Sequence, residues 1–421
     1  SLRRRQRQMC IRDRETRLEP LRERLREDPA FEKLSWRLEE AEGGYMLLIE
    51  VRRSRFKAFK PRFSPILDFN RVHGLLFGGG CEVRLPRPIA GRAYCELSYG
   101  FSSGIWGYNL GAEKRLMPLA FSLGARLYDV TDTEDLWRIS AAENALAELL
   151  FGKAFLDLYR RRGWEVYLTA GPIGPARLRA GFTCEQQLSL EKSTDWFLFR
   201  SGGGGEPRHR LVRAREGWSI PEPPQRKRDN PPIDEGDLRS VWLRAYIDLR
   251  DVKRWGHRHM IEEPLPSAGT KNGWLLTVDL QLSGGVLGGD FDFPLLDLTL
   301  VRYNRFGDHR LDLRLKALVS AEGALPSQKR GYLGGIGSLR GYGFKEFECD
   351  SFLLLNVDYG FRLIDPVWID LFLDAAYLPY EREFPASGGM GLSVGPFRID
   401  MARPLRDEGE MSFILRAGRI F

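Results

Sequence analysis

The residue types that could do chemistry are present, but their spacing argues against catalysis. Gly100-Phe101-Ser102-Ser103-Gly104 fits the G-x-S-x-G pattern of serine hydrolases. That pattern works where a strand-to-helix turn presents the serine, whereas here strand-like alternation flanks it on both sides and predicts a hairpin turn. Gly335 and Gly337 lack the third glycine and the strand–helix setting of a dinucleotide site. His257, His259 and Glu262 have ligand chemistry, yet such spacing is common by chance and no further cluster supports it. The five histidines offer no evident serine or aspartate partner for hydrolysis. Five cysteines (Cys10, Cys81, Cys95, Cys184 and Cys349) are odd in number and contain no C-x-x-C, which excludes a zinc ribbon and a disulfide scaffold. Cys81 and Cys95 read as small apolar residues at positions that a hairpin sets opposite one another. No catalytic residue, metal or cofactor is expected.

Length and composition narrow the class. The chain has 421 residues, 43% hydrophobic and 12% aromatic, which excludes disorder as its main character. No apolar run approaches the ~18 residues of a membrane-spanning helix. A transmembrane barrel survives that test, because its strands alternate apolar and polar residues. The net charge of +7 suggests nucleic acid, but residues 1–14 alone hold six Arg against one Asp, and no basic stripe remains beyond them. This first stretch reads as translated adapter sequence, a disordered artefact outside the fold.

The elements follow from periodicity. Residues 15–27 predict a helix, with Leu18, Leu21 and Leu25 on one stripe. Alternation at Leu34, Trp36 and Leu38, a Glu42-Gly43-Gly44 turn and the run Tyr45–Val51 predict two strands. After residue 54 the period becomes two and stays so. In 309–322, Leu311, Leu313, Leu315 and Ala317 alternate with Asp312, Arg314 and Lys316. In 351–363, Leu353, Leu355, Val357 and Tyr359 oppose Asn356 and Asp358. In 368–378, Ile369, Leu371 and Leu373 oppose Asp370 and Asp374. Segments this long, each with one apolar and one charged face, fit an outer-membrane barrel better than a sandwich, whose strands average ~5–6 residues.

Sixteen strands are expected: near 55–67, 74–85, 91–103, 105–116, 118–132, 155–172, 176–190, 238–250, 273–285, 291–304, 309–322, 351–363, 368–379, 389–395, 397–405 and 411–421. The even count places the long links 133–154, 191–237 and 323–350 on one side, with 251–272 a long exception on the other. Ala142, Leu146, Leu149 and Leu150 suggest a short helix within the first long link, and 201–236 reads as a Gly- and Pro-rich excursion.

The most specific segment is Tyr332-Leu333-Gly334-Gly335-Ile336-Gly337-Ser338-Leu339-Arg340-Gly341-Tyr342. It resembles the sixth extracellular loop of the BamA/TamA superfamily (bacterial surface antigens), whose hydrophobic-Arg-Gly-aromatic tip folds back into the lumen. Asp248-Leu249-Arg250-Asp251, with Gly273 after it, resembles that family's inter-strand turn. Gly395-Pro396-Phe397-Arg398-Ile399-Asp400 resembles its last hairpin. Phe413, Leu415, Gly418 and Phe421 resemble the C-terminal strand that directs outer-membrane assembly. The resemblance covers about 45–421, and the hairpin before it, with its helix, resembles the last half of a periplasmic POTRA domain.

These likenesses imply an all-β, sixteen-stranded antiparallel transmembrane barrel over 54–421, preceded by a small α+β POTRA remnant over 15–53. They also imply residence in the bacterial outer membrane as a monomer, with the N-terminal fragment in the periplasm. The implied partners are outer-membrane lipids and either unfolded outer-membrane client proteins or an upstream passenger domain. The implied role is protein assembly or translocation. The barrel of a patatin-like autotransporter and a passive channel or adhesin are the alternatives.

The loop arginine has a physical reading of its own. A guanidinium in a poorly hydrated lumen requires carboxylates. Alternation turns Asp358 and Asp374 inward on the two strands that follow the loop, and the family pairs its loop arginine at the corresponding positions.

Overall fold

The computed structural model describes residues 31–41, 44–53, 61–85, 90–116, 121–173, 175–199, 213–214, 217–218, 226–251, 271–406 and 409–417. Residues 1–14 and the helix expected over 15–27 lie outside them. Phe31–Ala41 and Gly44–Arg53 pair as an antiparallel hairpin, with Leu38 opposite Leu47.

Sixteen strands then form one antiparallel sheet in which each neighbours the next in sequence. They are β1 (Arg62–Asn70), β2 (Gly74–Leu85), β3 (Gly91–Gly100), β4 (Trp106–Leu116), β5 (Phe121–Asp132), β6 (Tyr159–Ile173), β7 (Ala176–Ser189) and β8 (Gly236–Asp248). The second half comprises β9 (Gly273–Ser283), β10 (Phe293–Phe306), β11 (His309–Val319), β12 (Phe352–Ile364), β13 (Val367–Tyr377), β14 (Ala386–Val394), β15 (Phe397–Pro404) and β16 (Ser412–Ala417). Among the described residues no ladder joins β1 to β16. One helix, α1 (Ala141–Phe151), lies in the link between β5 and β6. Cys81 stands opposite Cys95 across β2 and β3, both as free thiols.

The polarity of the sheet is inside out. Leu67, Phe77, Leu97, Leu127, Leu168, Leu355, Leu371 and Leu415 are exposed on its outer face. Glu165, Arg314, Asn356, Asp358, Asp374 and Asp400 are buried on the inner one. Such a surface fails in water and fits a bilayer, where closed or nearly closed ladders also satisfy the backbone.

The short links at Gly307-Asp308, Asp365-Pro366 and Gly395-Pro396 fall at the end where an outer-membrane barrel keeps its periplasmic turns. At the opposite, extracellular end three long links pack on one another. Val72, Ile139, Leu156, Leu158, Leu190 and Ile336 form one apolar cluster there. Leu333, Leu339 and Tyr342 join Leu354, Ala376 and Leu378 in another. Ion pairs stitch the cap. Arg71 lies 2.7 Å from Asp157, while Lys345 reaches Asp135 at 2.7 Å and also pairs with Asp157.

Leu355→Arg, on the outer face of β12, is expected to cost roughly 2–4 kcal/mol of folding free energy. Thr277→Arg, on the inward phase of β9, is expected to cost much less. Heat-modifiable migration on gels after refolding into liposomes measures both, and equal loss would contradict the membrane-facing assignment.

Candidate functional site

The site is the tip of the link between β11 and β12, turned back inside the sheet. Glycines make this path feasible. Gly334, Gly335 and Gly337 have φ of +112°, +73° and +75°. A Cβ on Gly337 would sit 2.4 Å from the Arg138 carbonyl oxygen, and one on Gly341 would sit 2.5 Å from the Arg403 carbonyl carbon. Only glycine lets the loop lie this close to those backbones. Leu339 and Tyr342 anchor the tip in the apolar cluster beside Leu354 and Leu378.

Arg340 is 1% exposed and enclosed by three carboxylates. Its Nε donates to Asp374 Oδ2 at 2.8 Å and its Nη2 to Asp374 Oδ1 at 2.7 Å, a two-pronged grip that matches the planar fork. Nη1 reaches Asp358 at 3.2 Å and Asp400 at 3.4 Å. The Arg340 backbone N–H also donates to Asp374, at 3.1 Å. The guanidinium stacks on Phe372, 3.4 Å from the ring centroid.

A second arginine completes the enclosure. Arg398 donates to both Asp358 oxygens, at 2.9 and 2.8 Å, and to Asp400 at 2.6 Å. Arg310 takes Asp370 at 2.7 Å, and Arg398 lies 3.4 Å from the same carboxylate. Asn356 Nδ2 bridges Asp374 and the Ser338 carbonyl, at 2.7 and 2.9 Å. Ser387 Oγ on β14 meets Asp374 at 3.4 Å, and Ser412 on β16 donates to the Arg340 carbonyl at 2.5 Å. The six strands β11 to β16 thus all touch one network.

The periodicity of β12 and β13 points to Asp358 and Asp374. It gives no sign that Asp400 and Arg398, far along the chain, converge on the same guanidinium. Arg314 is a further omission: its alternation suggests a hydrated lumen charge, but it is buried and donates to Asn356, to the Gly337 carbonyl and to the Trp137 carbonyl at 3.3 Å. It holds the loop from below.

The remaining motif residues fall elsewhere. Arg250 donates to both oxygens of Asp248, at 2.9 and 3.0 Å. Asp251 Oδ1 accepts from Lys271 N at 2.8 Å, and Gly273, at φ +134°, meets the Arg250 backbone. They draw together the described ends of the β8–β9 link, distant from Arg340 in the strand order. Phe413 and Leu415 face outward, while Gly418 and Phe421, like His257, His259 and Glu262, lie outside the described residues.

Ser102 sits exposed in a hairpin turn. One sequence reading needs correction here: a histidine–serine pair does exist. His73 Nδ1 is 2.8 Å from Ser103 Oγ, and His73 Nε2 is 2.7 Å from Thr131 Oγ1. The pairing of β2 with β3, Leu76 opposite Gly100, brings the turns at 71–73 and 101–105 side by side. The imidazole is buried between two hydroxyls, so the trio ties adjacent strand ends together. Burial, reinforced by nearby Arg160, pushes His73 down to about 4.

Fold and site define the chain as a transmembrane β-barrel of the bacterial outer membrane, with one extracellular loop anchored in its lumen. Residues 269–412 match the Omp85 superfamily domain. The chain is similar to BamA of Haemophilus ducreyi lacking POTRA domains 1–3, at 13% identity and a TM-score of 0.54 over 94% of this chain and 76% of that one. It also aligns with CdiB of Escherichia coli (10% identity, TM-score 0.42, 91% and 67% covered). CdiB of Acinetobacter baumannii aligns at 10% identity and a TM-score of 0.38, with 92% and 66% covered. No curated protein sequence matches the chain.

Arg340→Ala strands buried carboxylates and is expected to destabilise the barrel by about 3–5 kcal/mol, with Arg340→Lys recovering part because it loses the two-pronged grip. A double-mutant cycle with Asp374→Asn, read by urea unfolding in detergent micelles, should show strong coupling; additivity would remove the cage from the account.

His73 predicts a pH effect of definite sign. Its folded pKa, about 4, lies below the ordinary 6.5, so protons favour the opened state. The contribution is fully present above about 6.5 and declines as pH falls toward 4. Protection of the 71–73 and 101–105 turns from protease should fall over that window, and His73→Gln should flatten the profile.

Proposed function

We propose that this barrel inserts client proteins into the outer membrane, using the unjoined edges of β1 and β16 to receive a client strand. The observation that carries the reading is the 16-stranded ladder whose two end strands, among the described residues, are not joined to each other, the last of them held to the anchored loop tip. An open edge offers a row of backbone donors and acceptors, which is the chemistry by which a strand is added. The Arg340 network positions that edge: Ser412 ties β16 to the loop tip, and the tip is held by β12, β13 and β15.

The other roles follow from this reading. Asp248, Arg250, Asp251 and Gly273 hold the ends of the periplasmic β8–β9 link together. Phe413, Leu415, Gly418 and Phe421 form the signal for the chain's own assembly. Residues 15–53 act as the end of a periplasmic POTRA module, and the barrel works as a monomer among outer-membrane lipids.

The test uses liposomes carrying the full chain and a urea-unfolded eight-stranded barrel as client. Appearance of folded, protease-protected client should be several-fold faster than with empty liposomes, and Arg340→Ala should abolish most of the gain. No acceleration would overturn the insertion reading; transfer of a soluble passenger across the bilayer instead would favour translocation.

A further inference from the structure

The helix in the β5–β6 link has its polarity reversed. Asn144 and Glu148, one helical turn apart, are 1% and 0% exposed, whereas Leu146 is 44% exposed and Phe151 37%. Ala142 is exposed too, so Ala142 and Leu146 form a stripe opposite the buried amide and carboxylate. The buried face carries polar contacts: Asn144 accepts from Phe155 N at 2.8 Å and donates to Glu148 at 2.9 Å, and Glu148 lies 3.5 Å from Lys227. A helix in water places these faces the other way round.

The apolar face continues beyond the helix. Leu198 N and Phe199 N donate to the carbonyls of Leu149 and Leu150, at 2.8 and 3.0 Å, which lays Trp196–Phe199 along the end of α1. Trp196, Leu198 and Phe199 are all exposed, and Phe197 is buried against Gly152. Phe151 and Phe199 rings lie 5.9 Å apart, and Trp196 meets Phe69 of β1 edge-on at 5.8 Å. The patch is therefore continuous with the outward face of the first strand.

The other end of α1 meets the last strand. Ser140 caps the helix, its Oγ accepting from Glu143 N at 3.2 Å. In a capping box the glutamate three residues on reaches back to the cap's own amide. Glu143 instead accepts from the backbone N–H of Ala417 in β16 at 2.7 Å and lies 3.6 Å from Arg416. Ala417 stands opposite Phe397, where β15 begins after its periplasmic turn, so this contact is well below the loop level. α1 also packs along β1. It bridges the two strands that no ladder joins among the described residues.

We propose that α1 and Trp196–Phe199 form a helical piece of the barrel wall, seated between β1 and β16 and facing the acyl chains of the outer membrane. Glu143 satisfies an edge donor of the last strand, Trp196 covers the end of the first, and lipid solvates the outward stripe as it does the strands on either side. A patch of this extent in water would be a standing liability. The proposal rests on the barrel's place in the membrane and not on the insertion activity; under the insertion reading, α1 is the resting occupant of the seam and leaves it before a client strand pairs there.

The experiment places a nitroxide at Ala142 or Leu146 in a cysteine-free chain refolded into phosphatidylcholine liposomes. Leu355, outward on β12, serves as the lipid reference, and Glu322, exposed in the extracellular loop, as the water reference. Expected is oxygen-dominated relaxation at both helix positions, matching Leu355. Nickel-chelate-dominated relaxation like that of Glu322 would overturn the proposal, and so would exclusion of both reagents, which would mean a protein covers the face. Each labelled chain must show heat-modifiable migration. Both positions are exposed, so failure of one to fold leaves the other to decide, and Leu146→Ser, which should lower the folded yield only if the side chain faces lipid, gives a label-free second reading.

Discussion

The Arg340–Asp374 pair is the constraint on which the second half of the barrel depends. A guanidinium that is almost wholly buried cannot be left to water, and its carboxylate partner is just as dry. Coulombic attraction alone does not repay such desolvation; the geometry must also satisfy the remaining donors and lone pairs. Here it does, because Asp358, Asp400, Arg398, Asn356 and Phe372 occupy the other directions around the pair. The partners stand on three strands, β12, β13 and β15. A shift of one strand by a residue would turn its carboxylate out to lipid and leave charges unpaired. The network therefore fixes register as much as it fixes the loop.

The same logic explains why the lumen is crowded with charge rather than filled with water. The membrane requires apolar residues outside, so alternation forces the polar half of every strand inward. A loop returning into that space finds donors and acceptors already arranged. Arg314 uses this by donating to the carbonyls of Trp137 and Gly337, joining the tip to the link that carries α1. Extracellular cap, loop tip and barrel wall become one connected structure, with Asp157, Lys345 and Asp135 closing it from above.

Much of this was legible in the sequence because a period of two is a direct imprint of the pleat. Strand count, link lengths and the inward phase of Asp358 and Asp374 all follow from it. The strand limits moved by a few residues: the first strand, expected near 55–67, is observed at Arg62–Asn70, and the last is described over Ser412–Ala417. What the pattern could not carry is convergence. Nothing local relates Asp400 to Arg340, His73 to Ser103 or Glu143 to Ala417, since each contact depends on how the sheet curls and where the long links return. Most of the insertion at 200–225, most of 251–272, Gly418 and Phe421 lie outside the described residues.

The helix shows a deeper reason for partial legibility. Ala142, Leu146, Leu149 and Leu150 announce an amphipathic helix by spacing alone, and spacing fixes which residues share a face. It says nothing about the medium that face meets. In a soluble domain the apolar stripe would turn inward and Glu148 would be solvated. Here Glu148 is wholly buried and Leu146 looks out, because the surroundings have been inverted and not the helix. The buried Asn144–Glu148–Lys227 group and the Ala417 amide require exactly one orientation of α1, since rolling it over would strand the amide at an unpaired edge and put a carboxylate in hydrocarbon. Polar contacts on the inner side thus decide what the apolar periodicity leaves open, and they decide it in favour of the membrane.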